Sequence, residues 1–153
     1  MSQRVRQAIL ISASVEKVFE FLDVPENGLA LVPGLVEVKD VAPLPNGGHR
    51  LRFVTLGRLG KLCEWISEHI ERVPNELVVV RSEAEGVTTT ATRRFVVTAE
   101  GSRLVGEVDY RFSVPWPQKV LVPLMEFQAR RGMRSQLRGL LQVVTARVEA
   151  GQD

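Results

Sequence analysis

Hydrophobic and polar residues alternate along most of this chain, and the apolar period becomes helical near both ends. Residues 4–12 alternate and then run apolar, which predicts a first strand. Ser14 can cap a following helix, because its side chain can accept a hydrogen bond from the first helical turn. Asp23 and Pro25 open a second short helix that reaches about Leu31, since proline suits the first turn of a helix.

Beyond Leu35 the pattern changes to strands separated by short turns. The turn signals are clusters of proline, glycine and asparagine, of which Pro43 to Gly48 (PLPNGG) is the longest. Short connections favour antiparallel neighbours. Strands are predicted at residues 35–42, 49–57, 61–73, 76–83, 87–99 and 103–114.

The C-terminal part of the chain has helical spacing. Pro115-Trp116-Pro117 stops the sheet, and one long helix is predicted to about Glu149, with a kink or its true start at Pro123. Thirty helical residues would span about 45 Å. The apolar positions that keep this period are Val120, Leu124, Phe127, Leu137, Leu141, Val144 and Val148.

The order of these elements predicts an α+β fold. Strands of 12 or 13 residues twist and curl, and the concave face of a curled sheet must be covered. We therefore expect a curved seven-stranded antiparallel sheet wrapped around the long C-terminal helix, with two short helices between strands 1 and 2. A gap between sheet and helix is a default ligand site. The length of 153 residues fits one domain, residues 1–153.

Three segments resemble a known superfamily. They are Ile9 to Val41 (ILISASVEKVFEFLDVPENGLALVPGLVEVKDV), Gly60 to Glu76 (GKLCEWISEHIERVPNE) and Ser102 to Pro115 (SRLVGEVDYRFSVP). The whole chain is similar to the START-related superfamily, also called SRPBCC, helix-grip or birch-pollen-allergen-like. It most resembles the bacterial polyketide cyclase/dehydrase and lipid-transport members. The resemblance implies a pocket for hydrophobic or amphipathic molecules, and it carries no catalytic residue because the superfamily shares no catalytic motif.

The phase of the strands selects candidate pocket residues. In 103–114, Val108, Tyr110 and Phe112 share the apolar face, which should point inward. From the long helix, apolar side chains should face the sheet, with Phe127 as a wall of the pocket. The predicted ligand-binding set is Leu51, Phe53, Ile66, Phe95, Val108, Tyr110, Phe112, Leu124, Phe127 and Leu137.

Tyr110 and Arg93 are the polar candidates within this phase. Tyr110 either packs in the core with its hydroxyl satisfied locally or donates to a ligand carbonyl. Arg93 shares the apolar phase of its strand, and an unpaired buried arginine costs several kcal/mol. We expect Arg93 to turn outward or to lie at a wet pocket mouth. If it lies inside, it pairs with a carboxylate or binds an acidic ligand group.

Glu64 depends on the register of one hairpin. If Arg58 and Leu59 form the loop, Phe53 faces Glu64 and Leu51 faces Ile66, which places a carboxylate among apolar neighbours. A one-residue shift sends Glu64 to solvent and puts Trp65 and Ser67 inside. We prefer the exposed position for Glu64.

The distribution of charge along the chain indicates which partners it could bind. The net charge is +2, and the C-terminal segment carries six basic and two acidic residues between Pro115 and Glu149. Arg130, Arg134 and Arg138 recur every four residues and predict a basic helix face, either solvated or turned to an anionic partner such as a membrane surface. Nucleic acid is not favoured, because basic and aromatic residues are not interleaved.

Motifs for metal or cofactor binding are missing from the sequence. Cys63 is the single cysteine, so no intramolecular disulfide forms, and a cytoplasmic location is expected. The two histidines, His49 and His69, lack zinc spacing and are expected to face solvent. We predict no metal, no cofactor and no membrane span.

The sequence favours a non-catalytic protein that binds or transports a hydrophobic small molecule, such as a lipid, a quinone or a polyketide-like compound. One alternative is a cyclase or aromatase that uses Tyr110, Arg93 and Glu64. Another is a module that binds a partner through the basic helix.

Overall fold

The computed structural model describes residues 2–30, 32, 34–56, 60–112, 142 and 144–149. Within these ranges the chain forms seven strands and two short helices, and residues 142 and 144–149 are helical. The elements are β1 Ser2–Ile11, α1 Val15–Asp23, α2 Pro25–Ala30, β2 Leu35–Pro43, β3 His49–Leu56, β4 Leu62–Val73, β5 Leu77–Ala84, β6 Val87–Thr98 and β7 Gly101–Phe112.

The seven strands form one antiparallel sheet in the order β1-β7-β6-β5-β4-β3-β2. Each strand from β2 to β7 pairs with its neighbour in sequence, as the short turns predict, and β1 joins the far edge beside β7. The α+β class and the seven-stranded antiparallel sheet are thus confirmed. The predicted course of the long helix through residues 113–141 lies outside the described residues.

Helix α1 covers one end of the sheet. Ser14 caps it, since the Ser14 side chain accepts a hydrogen bond from the backbone N–H of Lys17 at 3.3 Å. Its apolar side packs on the sheet, where the rings of Phe19 and Phe95 meet edge to face with centroids 5.2 Å apart. The buried residues of this core are Ile11, Val15, Val18, Phe19, Phe21, Leu22, Val78, Phe95, Leu104, Val144 and Val148.

The strand register separates the residues of the sheet into two faces. Residues paired across antiparallel strands point to the same side, so every residue in register with the α1-covered core lies on what we call the inner face. On β7 and β6 this face carries Leu104 opposite Phe95, and then Gly106 opposite Arg93. The outer face carries mostly charged residues and threonines.

The β3–β4 hairpin differs from the register that places Glu64 inside. Phe53 pairs with Trp65, and Leu51 pairs with Ser67. The two-residue loop was wrong, because β3 ends at Leu56 and β4 begins at Leu62, which leaves five residues between them. The shifted register holds instead, and it turns Glu64 outward as preferred.

Candidate ligand-binding site

The inner face has a closed end and a more accessible centre. At the closed end, beneath α1, Val78, Phe95 and Leu104 are each at most 7% exposed. At the centre several side chains on β4, β5, β6 and β7 keep accessible surface although they point away from the outer face, while Ser67 and Tyr110 beside them are buried. These half-buried central residues are Trp65, Val80, Ser82, Thr89, Ala91, Arg93 and Val108. Several of them are small, which leaves room over the middle of the sheet.

Arg93 lies at the boundary between these two parts. Its neighbours in register are Gly106 on β7 and Val78 on β5, so it points inward. The side chain is half-buried, and the protein around it lowers the pKa of the Arg93 guanidinium through desolvation. Among the described residues no carboxylate forms an ion pair with Arg93. The guanidinium therefore keeps some accessible surface on the inner face without an ionic partner in the described part of the chain.

Arg72 is a second inward arginine, and the fold supplies it with a carboxylate partner. It lies on β4 opposite Val78, so that Val78 separates Arg72 from Arg93 across the sheet. Its Nε and Nη2 donate to the two carboxylate oxygens of Asp23, at 2.9 and 2.8 Å. This bidentate hydrogen bond to Asp23 raises the pKa of Arg72. The guanidinium also lies 5.2 Å from the ring centroid of Phe19 in α1.

His69 is the third polar group of the inner face. It pairs with Val80 and is half-buried, which overturns the expectation that it faces solvent. The backbone N–H of His49 donates to Nδ1 of His69 at 2.7 Å. That bond needs a lone pair on Nδ1, so the neutral ring carries its proton on Nε2. Burial and then the positive charge of Arg93 hold the pKa of His69 below its ordinary value.

The predicted turn before β3 fixes the position of His69. Asn46 Nδ2 donates to the backbone oxygen of His69 at 2.8 Å, and Asn46 Oδ1 accepts from the N–H of Gly48 at the same distance. A Cβ added to Gly48 would lie 2.4 Å from the Cβ of His69, so only glycine allows this approach. His49 is also half-buried rather than solvent-facing, and its Nδ1 is buried without a hydrogen-bond partner among the described residues.

Hydroxyl and aromatic groups complete the centre. The hydroxyls of Ser67 and Ser82 lie 2.7 Å apart across β4 and β5, and the Trp65 Nε1–H donates to Thr55 Oγ1 at 3.1 Å. Tyr110 is 1% exposed and makes an interaction of its own. Because these groups are already partnered, the polar groups that stand out at the centre are the guanidinium of Arg93 and the ring of His69.

Comparisons with known proteins show which family the chain belongs to. A family model described as polyketide cyclase / dehydrase and lipid transport matches residues 2–145. The chain belongs to the polyketide cyclase/dehydrase and lipid transport family. The predicted superfamily is thereby confirmed. No curated protein matches the chain.

Solved structures share the family fold over almost the whole chain. A protein of Thermus thermophilus is 24% identical, with a TM-score of 0.72 and coverage of 99% of this chain and 100% of that one. The Zhui aromatase/cyclase of Streptomyces sp. R1128 is 16% identical, with a TM-score of 0.75 and coverage of 99% and 98%. The di-domain aromatase/cyclase StfQ of the steffimycin biosynthetic pathway is 16% identical, with a TM-score of 0.81 and coverage of 98% and 51%. These similarities show the fold alone.

The predicted ligand-binding residues do not all reach the centre of the inner face. Leu51, Phe53, Val108 and Tyr110 lie on the inner face. Phe95 is also inward, but it packs against Phe19 of α1 and belongs to the closed core. Phe112 lies opposite Val87 in the register of β6 and β7. The predicted residues that lie outside the described ranges are Leu124, Phe127 and Leu137, together with the basic set Arg130, Arg134 and Arg138.

Two candidates lie on the outer face. Ile66 pairs with Arg52 and is 38% exposed, so its assignment to the inner face was wrong. Glu64 is bound by Arg52 Nη2 at 2.9 Å and lies 3.5 Å from Lys39 Nζ. The hydrogen bond from Arg52 and the charge of Lys39 lower the pKa of Glu64. An exposed and ionised Glu64 cannot act as a base on a ligand at the inner face.

The outer face also holds two depressions, with volumes of about 380 and 320 Å³. Both include Ile70 and Arg81, and Arg81 is already paired with Glu83 at 2.7 Å. Their remaining lining is largely charged residues and threonines, which is unlike an apolar ligand site. Within the described ranges no group of three His, Cys, Asp or Glu side chains is placed to hold a metal. No helix in those ranges is long and apolar enough to cross a membrane.

Sequence reasoning missed the Arg72–Asp23 pair and the inward position of His69. A one-residue bulge between His69 and Glu71 shifts the phase of β4, and it places both His69 and Arg72 on the inner face although their spacing is odd. Simple alternation assigns such a pair to opposite faces. The glycines after Asn46 were read only as a turn, and their contact with His69 needs the folded sheet.

Proposed function

We propose that this protein binds a hydrophobic small molecule over the centre of the inner face. The observation that carries the proposal is the contrast in burial along this face. The α1-covered end is filled by Phe95 and Leu104, whereas Ala91, Val108 and Arg93 on the same face keep accessible surface. A lining of small, apolar and hydroxyl side chains with few charged groups is typical of small-molecule sites.

Family membership supports the same proposal. The family is described by cyclase, dehydrase and lipid transport roles, all of which handle apolar or amphipathic molecules. A long C-terminal helix over the inner face would close the site, as the sequence pattern predicts. A carrier that holds its ligand without chemistry needs only this apolar lining.

Binding of a neutral apolar dye tests the proposal. N-phenyl-1-naphthylamine should gain fluorescence with the wild-type protein and should be displaced by apolar competitors. Ala91→Phe fills the centre and should weaken dye binding at least about tenfold, since it occupies the space of the ligand. Thr90→Phe is the matched control, because Thr90 is the adjacent residue and faces outward. An absence of dye binding, or equal affinity in the two variants, contradicts the proposal.

A cyclase or aromatase activity is the second candidate. It is favoured by two hydrogen-bond donors on one apolar face, the Arg93 guanidinium and the His69 Nε2–H, which could stabilise an enolate oxygen. Its test is turnover of a linear poly-β-ketone substrate by the wild type and by Arg93→Met. Turnover that survives this substitution would rule out the role of Arg93.

A further inference from the structure

Resting on the proposed function, we infer that the ligand carries a single carboxylate, which Arg93 binds with the help of the His69 Nε2–H. The site would then take an amphipathic monoacid, with its apolar part over Ala91 and Val108 and its acid group toward the α1-covered end. The inference concerns which ligand is selected and goes beyond the binding of apolar molecules.

The comparison of Arg93 with Arg72 carries the first step. Both arginines flank Val78 on the inner face. Arg72 has a bidentate carboxylate from Asp23, whereas no described residue offers one to Arg93. A guanidinium surrounded by protein and without an anion is unfavourable, and it is retained where an incoming anion completes it. The Arg72–Asp23 pair shows that this fold accommodates such a planar pair two strands away.

Charge balance carries the second step. Across the described part of the inner face, the charged side chains are Arg72 and Arg93, and Asp23 of α1 neutralises Arg72. Burial and then the charge of Arg93 lower the pKa of His69, which favours its neutral form, and Nδ1 of the neutral ring accepts the His49 N–H. The charge that remains on the described strands of the inner face is therefore +1, which matches one carboxylate and does not match a phosphate monoester with nearly two negative charges.

The orientation of His69 carries the third step. Its Nδ1 is occupied by the backbone, so Nε2–H is the one donor that the ring has to offer. His69 pairs with Val80 and Arg93 pairs with Val78, which are consecutive inward residues of β5, so the two side chains flank β5 on the inner face. A carboxylate that accepts from Arg93 can take the second donor from His69 without requiring a second charge.

Competition between matched acids and amides against N-phenyl-1-naphthylamine tests this inference. The pairs are decanoate with decanamide and 2-naphthoate with 2-naphthamide, each pair sharing one apolar part. In the wild type we expect the acid of at least one pair to bind about tenfold or more tightly than its amide, as a charge-assisted bidentate bond predicts. Arg93→Met should remove the preference and keep the affinity for the dye. Arg94→Met is the control, because the neighbouring arginine is exposed on the outer face.

The outcomes separate the two proposals. If the dye and every competitor fail to bind, the proposed function fails and the inference falls with it. If the dye binds but acids show no advantage, or keep their advantage in Arg93→Met, the inference is overturned and the proposed function stands. A second readout is independent of affinity. Bound acid should raise the pKa of His69 in an NMR titration and bound amide should not, and a pKa that both leave unchanged excludes His69 from the site.

Discussion

The two inward arginines that flank Val78 differ in whether the fold supplies a counter-ion. Under α1, Arg72 is bound by both oxygens of Asp23 and lies over the Phe19 ring. Two strands away, on β6, the half-buried Arg93 lies in register with Gly106 and Val78, without a carboxylate partner in the described structure. A charge that serves only stability is given its counter-ion within the fold. A charge left uncompensated beside a space is better explained by a ligand that enters it.

Removal of the Arg72 guanidinium should produce the largest loss of stability. Arg72→Met leaves the half-buried Asp23 carboxylate without its partner and abolishes the contact with Phe19. We expect the free energy of unfolding to fall by about 2–3 kcal/mol, as for other broken and partly buried ion pairs. Urea denaturation of the wild type and the variant measures the difference. A loss below about 0.5 kcal/mol would mean that the Arg72–Asp23 pair contributes little to stability.

Gly48→Ala should lower the stability of the protein by displacing the turn that packs against His69. The added Cβ would lie 2.4 Å from the Cβ of His69, so the turn and β4 must separate. Overpacking of this kind costs about 1–2 kcal/mol. Gly28→Ala is the control, because a Cβ there meets nothing within 4 Å and alanine favours the helix. Equal stability of both variants in urea would show that the turn does not press on His69.

Arg93→Met should have the opposite sign to Arg72→Met. Replacing an uncompensated guanidinium by an apolar side chain of similar length removes a desolvation penalty and strands no carboxylate among the described residues. We expect unfolding to require about 1 kcal/mol more free energy than in the wild type. A destabilisation comparable to that of Arg72→Met would show that Arg93 has a structural partner, and it would remove the contrast between the two arginines.

His69 should add a small pH dependence to stability. Its folded pKa lies below the unfolded value of about 6.5, so below that pH the unfolded state binds the proton first. Stability should therefore fall as the pH decreases from about 6.5 toward the folded pKa and level off beneath it. His69→Asn keeps an acceptor for the His49 N–H and should flatten this slope, measured by urea denaturation between pH 5 and 7. An unchanged slope would show that His69 does not titrate differently on folding.

Glu64→Gln should have the smallest effect. Its partners Arg52 and Lys39 lie with it on the exposed outer face, where solvent screens ion pairs. We expect no measurable change in dye affinity or in the urea midpoint. A large loss of dye affinity would return Glu64 to the site and contradict the hairpin register.

Local sequence signals predicted the strands and helices well, but they predicted less well which residues line the site. The cap at Ser14, the turn at Asn46 and the alternation of β7 depend on neighbours a few residues away, and each predicted its element. The register of β3 with β4 depends on how many residues the hairpin leaves unpaired, which composition alone does not determine. The bulge after His69 has the same effect, since one extra residue reverses the face of all that follows. Arg93 was the hardest case, because its inward position contradicts its polarity.

The location of a bound apolar molecule is the most direct test of the account. Methyl NMR spectra of the protein should be recorded with and without N-phenyl-1-naphthylamine. We predict that shifts concentrate on the inner-face methyl groups of Val80, Ala91 and Val108, while Ile66 and Ile70 on the outer face stay unchanged. Shifts confined to Ile66 and Ile70, or an absence of shifts at saturating dye, would contradict a ligand site at the centre of the inner face.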